Sequence, residues 1–333
     1  MVFPQQFVSV VGLLVQTLLL LLIGPMVFIN VVHSFQIITP SITTSSTPRI
    51  TTVPILGQPL LLPTKPTTLF SSVTGVDDTT VTSEKVEDVK RRLLQLCQTS
   101  GKSNTDDSMK KEIRTLIQEL EETSELCGIG QSSSFTGLIA GEWELVYSST
   151  DITRSSPFFW ALRKALEQQT GTTSTTNWAD QIYAITDSIP APFKELGPSI
   201  QRIDLNGGGT TTGRFVSQVQ VSTLNGLASS IMTTRGTIIG YDGIDGLKIR
   251  IDTTKPERNT LLASVPFIGD VLNENLPAYP SGVTLEQLSP GSSEIIMRTT
   301  FCDETIRISK NNDRPKDEYF IWTRKEFASY NFL

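Results

Sequence analysis

Near residue 138 the spacing of apolar residues changes from three or four to two. A chain with such a switch folds as helices followed by strands, because the two periods match the α-helix and the β-strand. Before the switch, Val86, Val89, Leu93, Leu94 and Cys97 form one helical face over 83–98. Ser100 to Asn104 reads as a turn. Met109, Ile113, Leu116, Ile117, Leu120 and Cys127 continue a second stripe to Gly128, a C-cap. Thr105 is its expected N-cap, with Asp106 and Asp107 in the first turn, where the helix dipole favours acids. Residues 83–128 are therefore expected to form an antiparallel helical hairpin. Cys97 lies near its loop and Cys127 about 27 Å away along the second helix, too far for a disulfide, which spans ~6 Å.

After the switch the alternation is strict in several runs. Trp143, Leu145 and Tyr147 share one phase, as do Phe215, Ser217, Val219 and Val221, and Leu247, Ile249 and Ile251. Further runs occur near Ile182–Thr186, Ile200–Leu205, Ser230–Ile239, Ile295–Phe301, Thr305–Ser309 and Tyr319–Thr323. Turn signals separate them, among them Gly207-Gly208-Gly209, Asp242-Gly243 and Asp245-Gly246. Eight or nine antiparallel strands need closure to hide their edges, and an up-and-down barrel over 138–326 achieves it. Barrels of about eight strands can enclose one small ligand. Two connections are unusual. Ser156 to Leu162 reads as an N-cap, a Pro at the first helical position and a bulky apolar face. Residues 261–272 are unusually apolar for a connection.

The amino terminus has a different character. Residues 1–76 contain no Asp or Glu, although the chain has 34. Residues 7–32 carry no ionisable side chain and include the run Leu18–Ile23. That stretch is expected to enter a membrane, either as a signal peptide ending at Ser34 and cut before Phe35, or as an anchor. Residues 35–76 hold 15 Ser/Thr and 6 Pro, with Arg49 and Lys65 as the only charges, a transit-peptide composition. A signal (1–34) followed by a transit peptide (35–76) resembles the bipartite presequences of algae with secondary plastids. The folded domain is then 77–333.

Composition excludes several chemistries. Net charge is −6 with no basic run, so no nucleic-acid partner is expected. Cleavage before Phe35 removes the single histidine, His33, and with it Ser-His-Asp catalysis and His-ligated metal sites. Gly207-Gly208-Gly209 lacks the Lys-Ser/Thr of a phosphate loop, and Asp242 and Asp245 lack the Glu that ends a calcium loop. No metal, cofactor or catalytic residue is expected.

Gly141-Glu142-Trp143 resembles the Gly-x-Trp opening of lipocalin-like barrels. The longer segment Leu138–Ser149 (LIAGEWELVYSS) is similar to a segment of the plastid lipid-associated proteins, the fibrillins of plastoglobules. Ile113–Glu122, Phe301–Lys310 (FCDETIRISK) and Tyr319–Arg324 (YFIWTR) are similar to further segments of that family. The Phe301-Cys302 pair and Lys310 depart from its pattern and point to a divergent member. The resemblance implies a lipocalin-like barrel in a plastid, at plastoglobules, thylakoids or in the stroma. It would bind hydrophobic metabolites or coat lipid-droplet and membrane surfaces without turnover. A barrel enzyme of isomerase or cyclase type is the alternative, marked by an acid with a raised pKa facing the interior.

Several residues follow as candidates. In a closed barrel the first and last strands are neighbours, so Arg324 can stack on Trp143 and close the floor. Asp303 and Arg307 read either as a turn carboxylate and strand arginine forming a salt bridge, or as a turn plus an inward Arg307 that holds a lipid carboxylate. Ile306 and Ile308 share the face opposite Arg307, so the face they take decides between these. Phe158, Phe159 and Trp160 are either core or an apolar lip for lipid, and Tyr147 is placed inside the barrel near the ligand.

Overall fold

The structure, a computed structural model, describes residues 78–100, 106–127, 138–170, 183, 195–206, 212–223, 228–264, 269–312 and 318–325. The presequence with its Ser34–Phe35 junction, the rest of the run near Ile182 and the triglycine turn lie outside them.

Two helices come first, α1 (Asp78–Ser100) and α2 (Asp107–Cys127). Helix α1 starts five residues before Ser83, where the expected helix began. At the start of α2 the Asp106 Oδ1 accepts the Ser108 amide at 3.0 Å, while Thr105, the expected cap, lies outside the described residues. Eight strands follow: β1 (Gly141–Ser148), β2 (Glu195–Leu205), β3 (Gly213–Thr223), β4 (Ala228–Asp242), β5 (Gly246–Glu257), β6 (Glu294–Cys302), β7 (Ile306–Asn311) and β8 (Tyr319–Arg324). Each pairs antiparallel with the next, and β8 pairs back onto β1, closing an up-and-down barrel. A 3-10 turn (Ile152–Ser155) and α3 (Pro157–Thr170) lie between β1 and β2. Short helices α4 (Thr260–Ala263), α5 (Gly269–Asn275) and α6 (Ser281–Leu288) connect β5 to β6.

Two apolar cores result. The first lies inside the barrel and joins Trp143, Leu145, Phe215, Ile249, Met297, Phe320 and Trp322 to α3. The second lies outside the wall, where Val86, Val89, Leu93, Ile113, Ile117 and Leu120 of the helix pair cover Tyr147, Phe301, Ile306, Ile308, Tyr319 and Ile321. Strands β7 and β8 are thus buried on both faces. This explains why YFIW is apolar throughout although it belongs to an antiparallel sheet.

Polar contacts pin the helices to the wall. Lys310 Nζ meets Glu121 Oε1 at 2.7 Å, and Lys90 Nζ meets Asp303 Oδ2 at 2.6 Å. Asp303 Oδ1 also accepts the amides of Thr305 (2.7 Å) and Ile306 (2.8 Å), which shapes the β6–β7 turn. Burial alone would raise the Asp303 pKa, but the hydrogen bonds from Lys90 and these amides outweigh it and hold the carboxyl below its usual 3.8. Lys90 moves up for the reciprocal reason: its bonds to Asp303 and Glu87 outweigh its burial. A depressed carboxyl contributes stability above its unfolded pKa and loses it as pH falls through the folded value. Asp303→Ala should therefore cost about 3–5 kcal/mol at pH 7, because it leaves Lys90 buried without this partner. Urea unfolding should show the gap to wild type narrowing as pH drops from 7 toward 3. A gap independent of pH would show that the ion pair is not its source.

Candidate functional site

The site is set by the phase of β7. Ile306 and Ile308 face outward into the helix pair, so Arg307 and Ser309 face into the barrel. Arg307 is 0% exposed. Its cross-strand partners are Trp322 and Cys302, and its Cζ lies 4.9 Å from the Trp322 ring and 5.2 Å from that of Trp143. Nη2 donates to Gln201 Oε1, while Gln201 Nε2 donates to the Ser155 carbonyl at 2.8 Å. Nε and Nη1 have no hydrogen-bond partner. Among the described residues no carboxylate pairs with this guanidinium. Desolvation pulls its pKa from 12.5 down to about 9, so it remains charged at pH 7. A buried charge without a counter-ion is expensive, and the two indole faces compensate only part of it.

The end of the barrel below Arg307 is closed. Trp143 and Arg324 are register partners on β1 and β8, and the Arg324 Cζ lies 4.2 Å from the Trp143 ring. Arg324 donates to the carbonyls of Glu304 (2.8 Å), Ala140 (2.7 Å) and Leu138 (2.6 Å), and Trp143 Nε1 donates to Ile139 (2.9 Å). Gly141 sits at φ +131°, and a Cβ there would collide with Arg324 Nη1. The positive φ favours glycine at that position, and a side chain there would also displace the Arg324 guanidinium.

The β1–β2 connection covers the other end. Ser155 and Ser199 hydroxyls meet at 2.7 Å, and Trp160 stacks on Phe320 at 5.6 Å while its Nε1 donates to the Arg154 carbonyl at 2.6 Å. The Ser156 hydroxyl donates to Thr234 Oγ1 at 3.4 Å, across to β4. Phe158 and Trp160 are each 3% exposed and belong to the core, so they do not form an exposed lip. Phe159 is half-buried beside Arg154 and Tyr183. Their helix buries Ala161, Leu162, Ala165 and Leu166 as well, leaving little of its apolar surface outside.

Two other expectations need correction. Tyr147 lies outside the wall, stacked on Tyr319 at 6.1 Å under the helices. A bulge between Leu145 and Tyr147 reverses the phase of β1, so Leu145 points in and Tyr147 out. Asp303 pairs with Lys90 instead of Arg307, because the two motif residues occupy opposite faces of the wall. The sequence reading also missed Gln201, Trp322 and Thr299. A signal for such residues existed in Ser217, a polar residue in an apolar phase.

Among the described residues no cluster of His, Cys, Asp and Glu could hold a metal ion. Comparisons of the chain with protein-family models, with curated proteins and with solved structures gave no match.

Proposed function

We propose that this chain is a lipocalin-like binding protein whose barrel takes an amphipathic ligand with its carboxylate on Arg307 and its apolar tail toward α3. The observation that carries this is the fully buried guanidinium with two unpaired nitrogens and no carboxylate partner among the described residues. A ligand carboxylate accepts two parallel N–H bonds in the geometry a guanidinium offers. The walls suit the tail. Val219, Val221, Ile249, Ile251 and Ile295 are inward and apolar.

Binding without turnover is favoured over acid–base chemistry. The described carboxylates with displaced pKa values, Glu257, Glu286 and Asp303, are all lowered by ion pairs or turn hydrogen bonds. None of the three is held protonated near neutral pH as a general acid. The likeness of Leu138–Ser149 and Phe301–Lys310 to plastid lipid-associated proteins agrees with a lipid ligand. On that reading the presequence delivers the domain to a plastid, where it meets its ligand at a membrane or lipid-droplet surface.

The test compares two fluorescent probes, cis-parinaric acid and its methyl ester, titrated into the folded domain. The acid should bind at least about tenfold more tightly, since a charge-assisted hydrogen bond contributes about 1.5–3 kcal/mol. Equal affinities, or no binding of either probe, would overturn the proposal.

A further inference from the structure

Arg307 is not the only inward group left without a partner. Ser217 on β3 and Thr299 on β6 are each 0% exposed, and neither hydroxyl has a hydrogen-bond partner. Both share the phase of inward residues: Ser217 lies between Phe215 and Val219, and Thr299 follows Met297 at a spacing of two. Each is also one register step from a group already tied to Arg307 or to its stacking partner. Ser217 is the cross-strand partner of Gln201, whose Oε1 takes Arg307 Nη2. Thr299 is the partner of Ser309, whose Oγ takes Trp322 Nε1 at 2.8 Å. Ser309 stands two residues along β7 from Arg307, about 7 Å toward the α3 end. Directly opposite pairs in an antiparallel ladder have Cβ atoms about 4.5–5.5 Å apart. The unpaired guanidinium nitrogens and both hydroxyls therefore belong to one polar zone that extends from Arg307 toward α3.

Nearby inward hydroxyls do not share this state. Ser199 is bonded to Ser155, and Thr234 to Ser156. Tyr147 and Thr300 also carry unpaired hydroxyls, Tyr147 outside the wall, but in the inward phase the unpaired groups are Ser217, Thr299 and Arg307 itself, where the proposed carboxylate would sit. A plain alkyl acid would satisfy the guanidinium and leave two buried hydroxyls without partners, and burying such groups unpaired is unfavourable. We infer that the ligand is an oxygenated acid, carrying a second oxygen within the first few carbons of its carboxylate, as in a 2- or 3-hydroxy fatty acid. This rests on the carboxylate reading of Arg307 and narrows it. Sites built to hydrogen-bond a hydroxyl discriminate strongly against analogues that lack it, whereas apolar pockets discriminate weakly.

Displacement of cis-parinaric acid by palmitic, 2-hydroxypalmitic, 3-hydroxypalmitic and 16-hydroxypalmitic acids tests this in the wild-type domain. The 2- or the 3-hydroxy acid should compete about tenfold better than palmitic acid, and the 16-hydroxy acid should gain nothing. Ser217→Ala and Thr299→Val should remove that advantage while palmitic acid binds within about twofold of wild type. Four outcomes overturn the inference: no advantage for either near-carboxylate hydroxyl, an equal advantage at carbon 16, an advantage that survives both substitutions, or an equal loss of palmitic acid in the variants. The wild-type series alone decides the first two, so the inference stays testable if a variant folds poorly. Failure of the underlying reading shows separately, as palmitic acid competing no better than methyl palmitate.

Discussion

Replacing Arg307 with methionine should make the ligand-free protein more stable while removing its hold on carboxylates. The wild-type guanidinium is fully buried, and its pKa is pulled down to about 9, which records the cost of desolvating it. Exchanging a buried charge for an apolar residue of similar length is often stabilising by about 1–4 kcal/mol. Against this stands the loss of stacking on Trp143 and Trp322, worth about 0.5–2 kcal/mol, and of one bond to Gln201. The expected net is a gain of roughly 1–2 kcal/mol, or a Tm rise of about 2–8 °C for a domain of this size. Binding of cis-parinaric acid should weaken about 30- to 100-fold, with the methyl ester almost unaffected. Thermal melts and fluorescence titrations check both halves. A clear fall in Tm with unchanged acid binding would show that Arg307 is a structural plate between indoles.

The second large effect is expected at Trp143. Its indole is 0% exposed, donates to Ile139, and lies under two guanidiniums, Arg307 and Arg324. Trp143→Ala should cost about 3–5 kcal/mol through the cavity it leaves, and more through the two lost cation–π contacts. With the plate gone, Arg307 and Arg324 face each other across less apolar matter, and Arg324 already depresses Arg307 slightly. The double variant Trp143→Ala/Arg307→Met should therefore lose less stability than the single effects sum to, by about 1 kcal/mol. Urea unfolding of the four proteins measures this directly. Strict additivity would show that the two side chains do not act as one floor.

How much of this was legible before the structure depends on the kind of information each residue carries. Local periodicity located the helix pair and the eight described strands, because 3.6 and 2 are properties of the backbone that each side-chain pattern reports. Neighbourhood followed from closure: once eight antiparallel strands must hide their edges, the first and last pair, and Trp143 meets Arg324. Helix ends were less legible. Apolar spacing reports only the face that packs, so α1 starts before its stripe does.

Which face of each strand points inward was settled only by the tertiary structure. Both faces of β7 and β8 are buried, and the apolar face of β7 is the outward one, so alternation there could not tell the barrel interior from the underside of the helix pair. Packing of α1 and α2 onto Ile306 and Ile308 sends Arg307 inward, and their ion pair from Lys90 takes Asp303 away from it. A single bulged residue in β1 turns Tyr147 out, since inserting one residue into a period of two reverses every position after it. The sequence by itself determined the helix pair and a run of antiparallel strands that close with Trp143 beside Arg324. The burial of one unpaired cation, with Ser217 and Thr299 beside it, arose from long-range contacts among β2, β3, β6, β7 and the helices. Residues more than a hundred positions apart meet there, as Gln201 and Arg307 do, and no local pattern encodes such meetings.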